Sequence, residues 1–210
     1  MELQYNILDD ERRALLPLFT PLKTGGFYLA GGTALALMLG HRDSVDFDFF
    51  TCEHIDTIRL FEQLKQLFRN HALVKTQEEK GTLSVLVDGS IRMSFFEYPY
   101  PLIEPLLLSD YFDLASLPDI ACMKLSAITS RAALKDYVDL YFILEKITLK
   151  DIIAALRQKM PELDPLLALK SLTYFADLQK ERIIFKTRPV SLSDIQARLM
   201  HAVTEYPKGI

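Results

Sequence analysis

Two aspartates within a short apolar segment are the first residues whose types and spacing suggest chemistry. Asp46 and Asp48 lie in the segment VDFDFF, residues 45–50. Side chains two residues apart on a β-strand point to the same face, so both carboxylates would lie side by side while Val45 and the other odd-numbered residues face the core. Adjacent carboxylates repel each other, and binding a hard divalent cation relieves that repulsion. The spacing therefore predicts a Mg²⁺ site whose remaining ligands are waters and substrate phosphates.

A glycine pair and a threonine come shortly before these aspartates. Gly31 and Gly32 would let the backbone approach a ligand closely, and Thr33 is predicted to cap an apolar helix over residues 34–39. The unpaired N–H groups at such a helix start bind phosphate. Arg42, just past the helix, would add positive charge. We therefore expect a triphosphate to contact this turn, with its metal on the two aspartates.

Each pattern also has a purely structural explanation. A lone Asp-x-Asp is typical of a solvated strand end, and a lone Gly-Gly-Thr is typical of a tight turn before a helix. Here the two occur in order, joined by a short helix and followed by a hairpin signal. That combination favours the functional interpretation.

The elements that must position these residues follow from apolar periodicity and turn residues. Predicted strands cover residues 27–30, 45–50, 82–87 and 91–98, the last two joined by a tight turn at Asp88-Gly89. Predicted helices cover residues 9–16, 34–39, 55–70 (with Ile58 on its buried face), 117–130, 132–145, 149–159, 164–177 and 192–203. Composition changes at the proline-rich PYPLIEP, residues 99–105. We therefore predict an α+β fold, with an α/β lobe at 1–100 and a helical lobe at 101–210.

Composition excludes several classes of protein. The chain has 210 residues, half of them apolar, and a net charge of −4, so it is no general polyanion binder. Any RNA contact would need a local basic patch; residues 179–188, with Lys180, Arg182, Lys186 and Arg188, are one candidate, and a solvated face is the alternative. No membrane span is predicted, because glycine pairs interrupt the uncharged run at 24–41. The two distant cysteines predict free thiols in a reducing cytoplasm.

Two segments together resemble a known family. YLAGGTALALMLGHRDSVDFDFF (28–50) and DIACMKLSAITSRAALKDYVDLYFIL (119–144) are similar to motifs of the AbiEii/AbiGii toxin family of nucleotidyltransferases. The resemblance implies a catalytic lobe with the DNA polymerase β-type nucleotidyltransferase fold, followed by a helical lobe. It also implies Mg²⁺ as cofactor, an NTP as substrate, RNA as acceptor with a tRNA end as the specific case, and an antitoxin as partner.

The resemblance also implies a role for each matching residue. It assigns phosphate contacts to the glycine-threonine turn, metal binding to the Asp-x-Asp pair, neutralisation of triphosphate charge to a lysine, and a second acidic motif to a later helix; these residues are Gly31, Gly32, Thr33, Asp46, Asp48, Lys124, Asp136 and Asp139. The residues alone leave an alternative open. Lys124, Arg131, Asp136 and Asp139 are also spaced to form ion pairs that join two helices.

One position departs from the polymerase β pattern. Such enzymes carry a third acid on the strand beside Asp-x-Asp, where it helps deprotonate the attacking hydroxyl. In IRMSFFEY (91–98) the corresponding position is Ser94, and Glu97 has the opposite parity and should face away. A serine cannot act as that base at neutral pH. His41, beside the motif, is expected at the surface or against substrate rather than on a metal.

The function predicted from the sequence is transfer of a nucleoside monophosphate from NTP to an acceptor hydroxyl, by the toxin of a toxin–antitoxin pair. One alternative is a nucleotidyltransferase with a housekeeping or small-molecule acceptor. The other is a catalytically impaired member that binds nucleotide or a protein partner.

Overall fold

The architecture is a mixed β-sheet covered by helices, seen in a computed structural model that describes residues 2–179 and 181–206. Its α-helices, in chain order, are α1 (Asp10–Leu15), α2 (Thr20–Thr24), α3 (Gly31–Leu39), α4 (Thr57–Leu67), α5 (Leu117–Ser130), α6 (Leu134–Ile143), α7 (Leu149–Lys159), α8 (Pro165–Leu172) and α9 (Leu192–Glu205). Its strands are β1 (Tyr28–Ala30), β2 (Phe47–Thr51), β3 (Leu73–Glu79), β4 (Thr82–Val87), β5 (Ile91–Glu97) and β6 (Asp113–Leu114). The predicted α+β class is confirmed.

The sheet has the strand order β3-β4-β5-β2-β1-β6. β2 runs parallel to β5, and β1 runs parallel to β6, whereas the other neighbours are antiparallel. The predicted hairpin joins β4 to β5. Asp88 and Gly89 both have positive φ there, 49° and 72°, as a two-residue turn that matches strand twist requires.

Alternation along β2 and β5 gives the sheet two different faces. Phe47, Phe49, Met93 and Phe95 are fully buried on one face, where the Phe19 ring lies 4.8 Å from the Phe47 ring. The side chains between them face the opposite side. β2 therefore presents Asp48 and β5 presents Ser94 away from the main core, in register with each other.

Several predicted details were wrong. Val45 is 50% exposed and does not face the core, because β2 begins only at Phe47 and the preceding residues form a loop. Ile58 is 71% exposed, since α4 buries Leu60 and Leu64 on a neighbouring face. Thr33 is not the cap of α3. Ala30 holds that position, and the helix starts at Gly31.

Two strands were missed by the sequence prediction. β3 is almost entirely exposed, so its side chains show no apolar alternation, and β6 has only two residues. β6 lies after residue 100 yet pairs with β1, and the buried apolar side chains form one connected cluster that spans both predicted lobes. The division at residue 100 stays a prediction. Among the helices of residues 2–179 and 181–206, none is long and apolar enough to cross a bilayer.

Candidate functional site

A cleft of about 650 Å³ lies between the polar face of the sheet and helices α5 and α6. Its walls bring together most of the residues that the sequence predicted for the site. Those that line it are Gly31, Gly32, Arg42, Asp46, Asp48, Ser94, Lys124 and Asp136. Thr33 and Asp139 are not among the lining residues and lie behind the wall.

Asp46 and Asp48 are the acids whose charge is least compensated in the cleft. Within the described part of the chain, no ion pair or side-chain hydrogen bond reaches the Asp48 carboxylate. Burial, together with the neighbouring charge of Asp46, raises the pKa of Asp48 to about 6, against the opposing influence of Lys124. A bound cation would reverse this shift, because it favours the ionised form. The donor set therefore fits a hard divalent ion.

This unfavourable charge predicts a distinctive pH dependence of stability. The folded-state pKa of Asp48 lies above its usual value of 3.8, so folding favours the protonated form. The cost of ionising Asp48 is absent at low pH, grows as pH rises from about 4 to 6, and is complete above that. At about 1.4 kcal/mol per pKa unit the full cost is about 3 kcal/mol. In metal-free buffer we expect Asp48→Asn to be more stable than wild type by up to this amount at pH 8, and by almost nothing at pH 4.

Urea unfolding at several pH values, with a chelator present, measures this difference. Asp177→Asn is the matched control, because Asp177 is exposed and lies outside the cleft. Its difference from wild type should be small at every pH. A stability gain of Asp48→Asn that stays constant from pH 4 to 8 would show that ionisation of this carboxylate is not the cause.

Both glycines make room for side chains of the site itself. Gly31 has φ +72°, and a Cβ there would lie 3.2 Å from Asp48 Oδ2. A Cβ on Gly32 would lie 2.8 Å from the Arg42 guanidinium and 3.1 Å from Ser44 Oγ. The pair thus lets the start of α3 approach both a carboxylate and a cation. The predicted phosphate contact of this turn stays a prediction.

Thr33 fixes the loop that carries Asp46. Its side chain is buried, and its hydroxyl lies 2.8 Å from Ser44 Oγ and donates to the carbonyl of Asp46. The threonine therefore ties the third residue of α3 to the residues just before β2. Thr33 itself does not line the cleft, so its contribution is to position Asp46.

Arg42 and Asp139 form a buried bidentate pair. Arg42 Nε lies 2.6 Å from Asp139 Oδ1, and Nη2 lies 2.7 Å from Oδ2. Arg42 Nη1 donates to the carbonyl of Asp43 at 2.7 Å. His41 Nε2 lies 2.8 Å from Asp139 Oδ1, and the His41 ring is buried, so the expectation of a surface or substrate-facing histidine was wrong. The segment after α3 is thereby anchored to α6.

Lys124 forms ion pairs with both aspartates of α6, Asp136 and Asp139. Its Nζ lies 2.8 Å from Asp136 Oδ1 and 2.6 Å from Asp139 Oδ2. Arg131 Nε lies 2.9 Å from Asp136 Oδ2, and about half of its side chain (54%) is exposed. Burial alone would raise the pKa of Asp139, but Lys124 and Arg42 hold it well below its usual range. The ion pairs between two helices that the sequence left open as an alternative are present.

The charges of the ion-pair network, which consists of Arg42, Lys124, Arg131, Asp136 and Asp139, do not cancel. Arg42, Lys124 and Arg131 supply three positive charges against the two aspartates. Burial lowers the pKa of His41, so its ring is neutral near pH 7. One net positive charge therefore lies along the wall opposite the Asp46–Asp48 pair. Catalytic roles for Lys124, Asp136 and Asp139 stay predictions.

Ser94 occupies the place expected for a third acid. It pairs in register with Asp48, is 5% exposed, and its Oγ lies 3.1 Å from Ser84 Oγ on β4. Glu97 lies at the end of β5, where its carboxylate accepts from the Ile55 N–H at 3.2 Å and contacts His54. The predicted orientations of Ser94 and Glu97 are confirmed.

Among the described residues, no group of three or more acidic, histidine or cysteine side chains is arranged to hold a metal.

The described residues of the basic segment 179–188 do not form one continuous patch. Lys186 pairs with Asp43 at 2.9 Å, and Arg188 pairs with Glu145. Arg182 is exposed and lines the cleft, whereas Lys180 lies outside the described residues. The Asp43 N–H donates to the carbonyl of Ile184 at 2.8 Å, so this segment forms part of the cleft rim.

Phe50 and Phe96 also line the cleft, although no role was predicted for either ring. Each lies two residues after a polar site residue, Asp48 on β2 and Ser94 on β5. The period of two that placed the aspartates on one face would also have placed these rings there.

Comparison with known proteins identifies the family of this chain. Residues 13–201 match the family model described as nucleotidyl transferase AbiEii toxin, type IV TA system. An uncharacterised protein of Aquifex aeolicus (strain VF5) is 40% identical over 178 residues, which are 82% of this chain and 84% of that protein.

Solved structures show the same fold. JHP933 from Helicobacter pylori matches with a TM-score of 0.60 at 19% identity, over 96% of this chain and 92% of its own. MenT4, a nucleotidyltransferase toxin from Mycobacterium tuberculosis H37Rv, matches with a TM-score of 0.61 at 15% identity, over 93% of this chain and 83% of its own. The family match over most of the sequence and the 40% identical relative show that this chain belongs to the nucleotidyl transferase AbiEii toxin family.

Proposed function

We propose that this chain transfers a nucleoside monophosphate from an NTP to an acceptor hydroxyl in the cleft. The acceptor oxygen attacks the α-phosphorus, the bond to the bridging oxygen of the β-phosphate breaks, and pyrophosphate leaves. The observation that carries the proposal is the pair of uncompensated carboxylates, Asp46 and Asp48, opposite a wall with net positive charge. Family membership supports the same reaction class.

We assign Asp46 and Asp48 to Mg²⁺, which when bound neutralises triphosphate charge. The N–H groups of Gly31 and Gly32 at the start of α3 would bind phosphate oxygens. Arg131 is the cation of the network with the most exposed side chain, so it is best placed to contact the leaving pyrophosphate together with Lys124.

The remaining residues of the site position the side chains that would contact substrate. Asp136 would orient Lys124 and Arg131, because it accepts hydrogen bonds from both. Asp139 would hold Arg42 and Lys124 in place, and Arg42 would contribute its charge to the cleft wall while paired. Thr33 would position the loop of Asp46 through its hydroxyl.

The acceptor we propose is RNA, with a tRNA end as the specific case, and the biological role is that of a toxin with a cognate antitoxin. The family description, which names a toxin of a type IV system, supports the role. Arg92 and Arg182 are exposed on the cleft rim and would contact an RNA backbone there.

One observation favours a second candidate function. Because Ser94 occupies the place of the third acid, the chain lacks an evident base and would serve as a nucleotide- or protein-binding module. Incubation with each α-³²P-labelled NTP, Mg²⁺ and total RNA separates the two. We expect label in RNA with at least one NTP; Mg²⁺-dependent NTP binding without any transfer would favour the binding module.

Introducing the missing acid tests the chemistry directly. If no group takes the acceptor proton, Ser94→Asp should raise transfer by about a hundred-fold or more, the lower end of general-base contributions. Steady-state kinetics at saturating NTP measures this. Ser94→Asn is the matched control, because asparagine has nearly the size of aspartate but no carboxylate that could take a proton. If Ser94→Asp does not exceed Ser94→Asn, another group such as Asp136 already serves as the base.

A further inference from the structure

A row of aromatic rings crosses the cleft-facing side of the sheet. Tyr28, Phe50 and Phe96 are neighbours in register on β1, β2 and β5. The Tyr28 and Phe50 ring centroids are 6.2 Å apart with planes inclined by 27°, and those of Phe50 and Phe96 are 5.1 Å apart with planes inclined by 29°. Each ring is therefore stacked on its neighbour, and the three form one row.

The stack is closed at one end and open at the other. Tyr28 is buried at the closed end, whereas Phe50 and Phe96 are partly exposed and line the cleft. The partner of Phe96 on β4 is Thr82, which has no ring to continue the row. Within residues 2–179 and 181–206, Phe50 is the one aromatic ring stacked on Phe96, and the neighbour of Phe96 on its β4 side is the small, partly buried Thr82 side chain.

The open end lies close to the proposed reaction centre. Phe50 and Phe96 follow Asp48 and Ser94 by two residues on the same face, a rise of about 7 Å along the strands. A ribose bridges such a distance between a phosphate and a base.

We propose that Phe96 is a stacking site for a nucleobase, which adds a fourth ring to the row. This inference rests on the proposed function, because that function brings a nucleotide into the cleft. The base belongs either to the NTP or to the terminal nucleotide of the acceptor; the chemistry is the same for both. Stacking on an aromatic face tolerates every base, so Phe96 fixes position, not sequence.

The chain contains no tryptophan, so a single introduced indole reports on this surface alone. In Phe96→Trp, we expect emission to be quenched when a base stacks on the indole. The titrants are Mg²⁺ with each NTP, Mg²⁺ with tripolyphosphate, and a short single-stranded oligoribonucleotide. Phe61→Trp is the matched control, since Phe61 is also partly buried but lies on α4, outside the cleft.

Quenching of Phe96→Trp by NTP but not by tripolyphosphate assigns the site to the base of the NTP. Quenching by the oligoribonucleotide alone assigns it to the acceptor. If calorimetry shows that NTP and RNA bind while emission stays unchanged, or if tripolyphosphate quenches equally, the stacking site is excluded and the proposed function stands. If neither ligand binds at all, the proposed function fails, and this inference fails with it.

A second variant keeps the test independent of how well an indole fits. Phe96→Leu retains an apolar side chain without a ring. It should weaken binding of the base-bearing ligand by about 5- to 150-fold, the range of measured base–aromatic stacking, and leave tripolyphosphate binding unchanged. Wild-type affinity of Phe96→Leu for both NTP and oligoribonucleotide would overturn the proposal.

Discussion

Asp139→Ala is expected to lower the free energy of unfolding by about 3–5 kcal/mol, the cost of removing one partner from a buried ion pair. Asp139 is completely buried and accepts from Arg42, Lys124 and His41. Its removal leaves the Arg42 guanidinium buried without its carboxylate. For a chain of this size, each kcal/mol shifts the melting temperature by about 2–4 °C, so a fall of about 6–20 °C should be measured by calorimetry.

Two further variants serve as comparisons for the stability loss of Asp139→Ala. Asp136→Ala should lower the free energy of unfolding by less than Asp139→Ala. Lys124 still has its ion pair with Asp139, and water can solvate the half-exposed Arg131 side chain. Glu62→Ala removes an exposed helical pair with Lys65 and should cost less than about 1 kcal/mol. If Asp139→Ala melts close to wild type while transfer is lost, Asp139 acts in catalysis, and the structural role given to it here is wrong.

Asp46→Asn and Asp48→Asn are expected to reduce transfer by about a thousand-fold or more each. The reason is that metal-ion catalysis contributes several kcal/mol, and each amide replaces an ionised ligand by a neutral one. Neither variant should melt below wild type, because relief of the repulsion between Asp46 and Asp48 stabilises the metal-free protein. Single-turnover transfer from labelled NTP, with melting curves on the same samples, measures both effects.

Asp177→Asn is again the control, and it should retain wild-type transfer because Asp177 lies outside the cleft. Chelation should abolish wild-type transfer, and added Mg²⁺ should restore it. Transfer by both asparagine variants within ten-fold of wild type would mean that the metal-binding assignment of this pair is incorrect.

Local sequence patterns were sufficient for much of the fold. The bounds of α5 and α7 agree with the predicted helices, because both begin at a capping Ser or Thr and keep a regular apolar spacing. β3 was not predictable in this way, since its pairing with β4 buries almost no side chain. The position of β6 depends on a contact with β1 that is distant in sequence.

The candidate site was predictable where a short motif or the family resemblance brings both partners together. Strand alternation predicted the face of Ser94, and the resemblance to polymerase β-type enzymes predicted that its strand lies beside Asp48. The partners of Arg42 did not follow, because Asp139 is almost a hundred residues away and only the docking of α6 brings it close. For the same reason, sequence reasoning could not see that His41 is buried against the same carboxylate.

The central claim is that the cleft holds an NTP whose metal lies on Asp46 and Asp48. Crystals of the protein grown with Mn²⁺ and an α,β-methylene NTP analogue test it most directly, because Mn²⁺ is located by its anomalous scattering. The account predicts an anomalous peak within coordination distance of both carboxylates, about 2.0–2.3 Å, and phosphate density at the N–H groups of Gly31 and Gly32. A nucleotide bound with its metal on other residues, or outside this cleft, would contradict it.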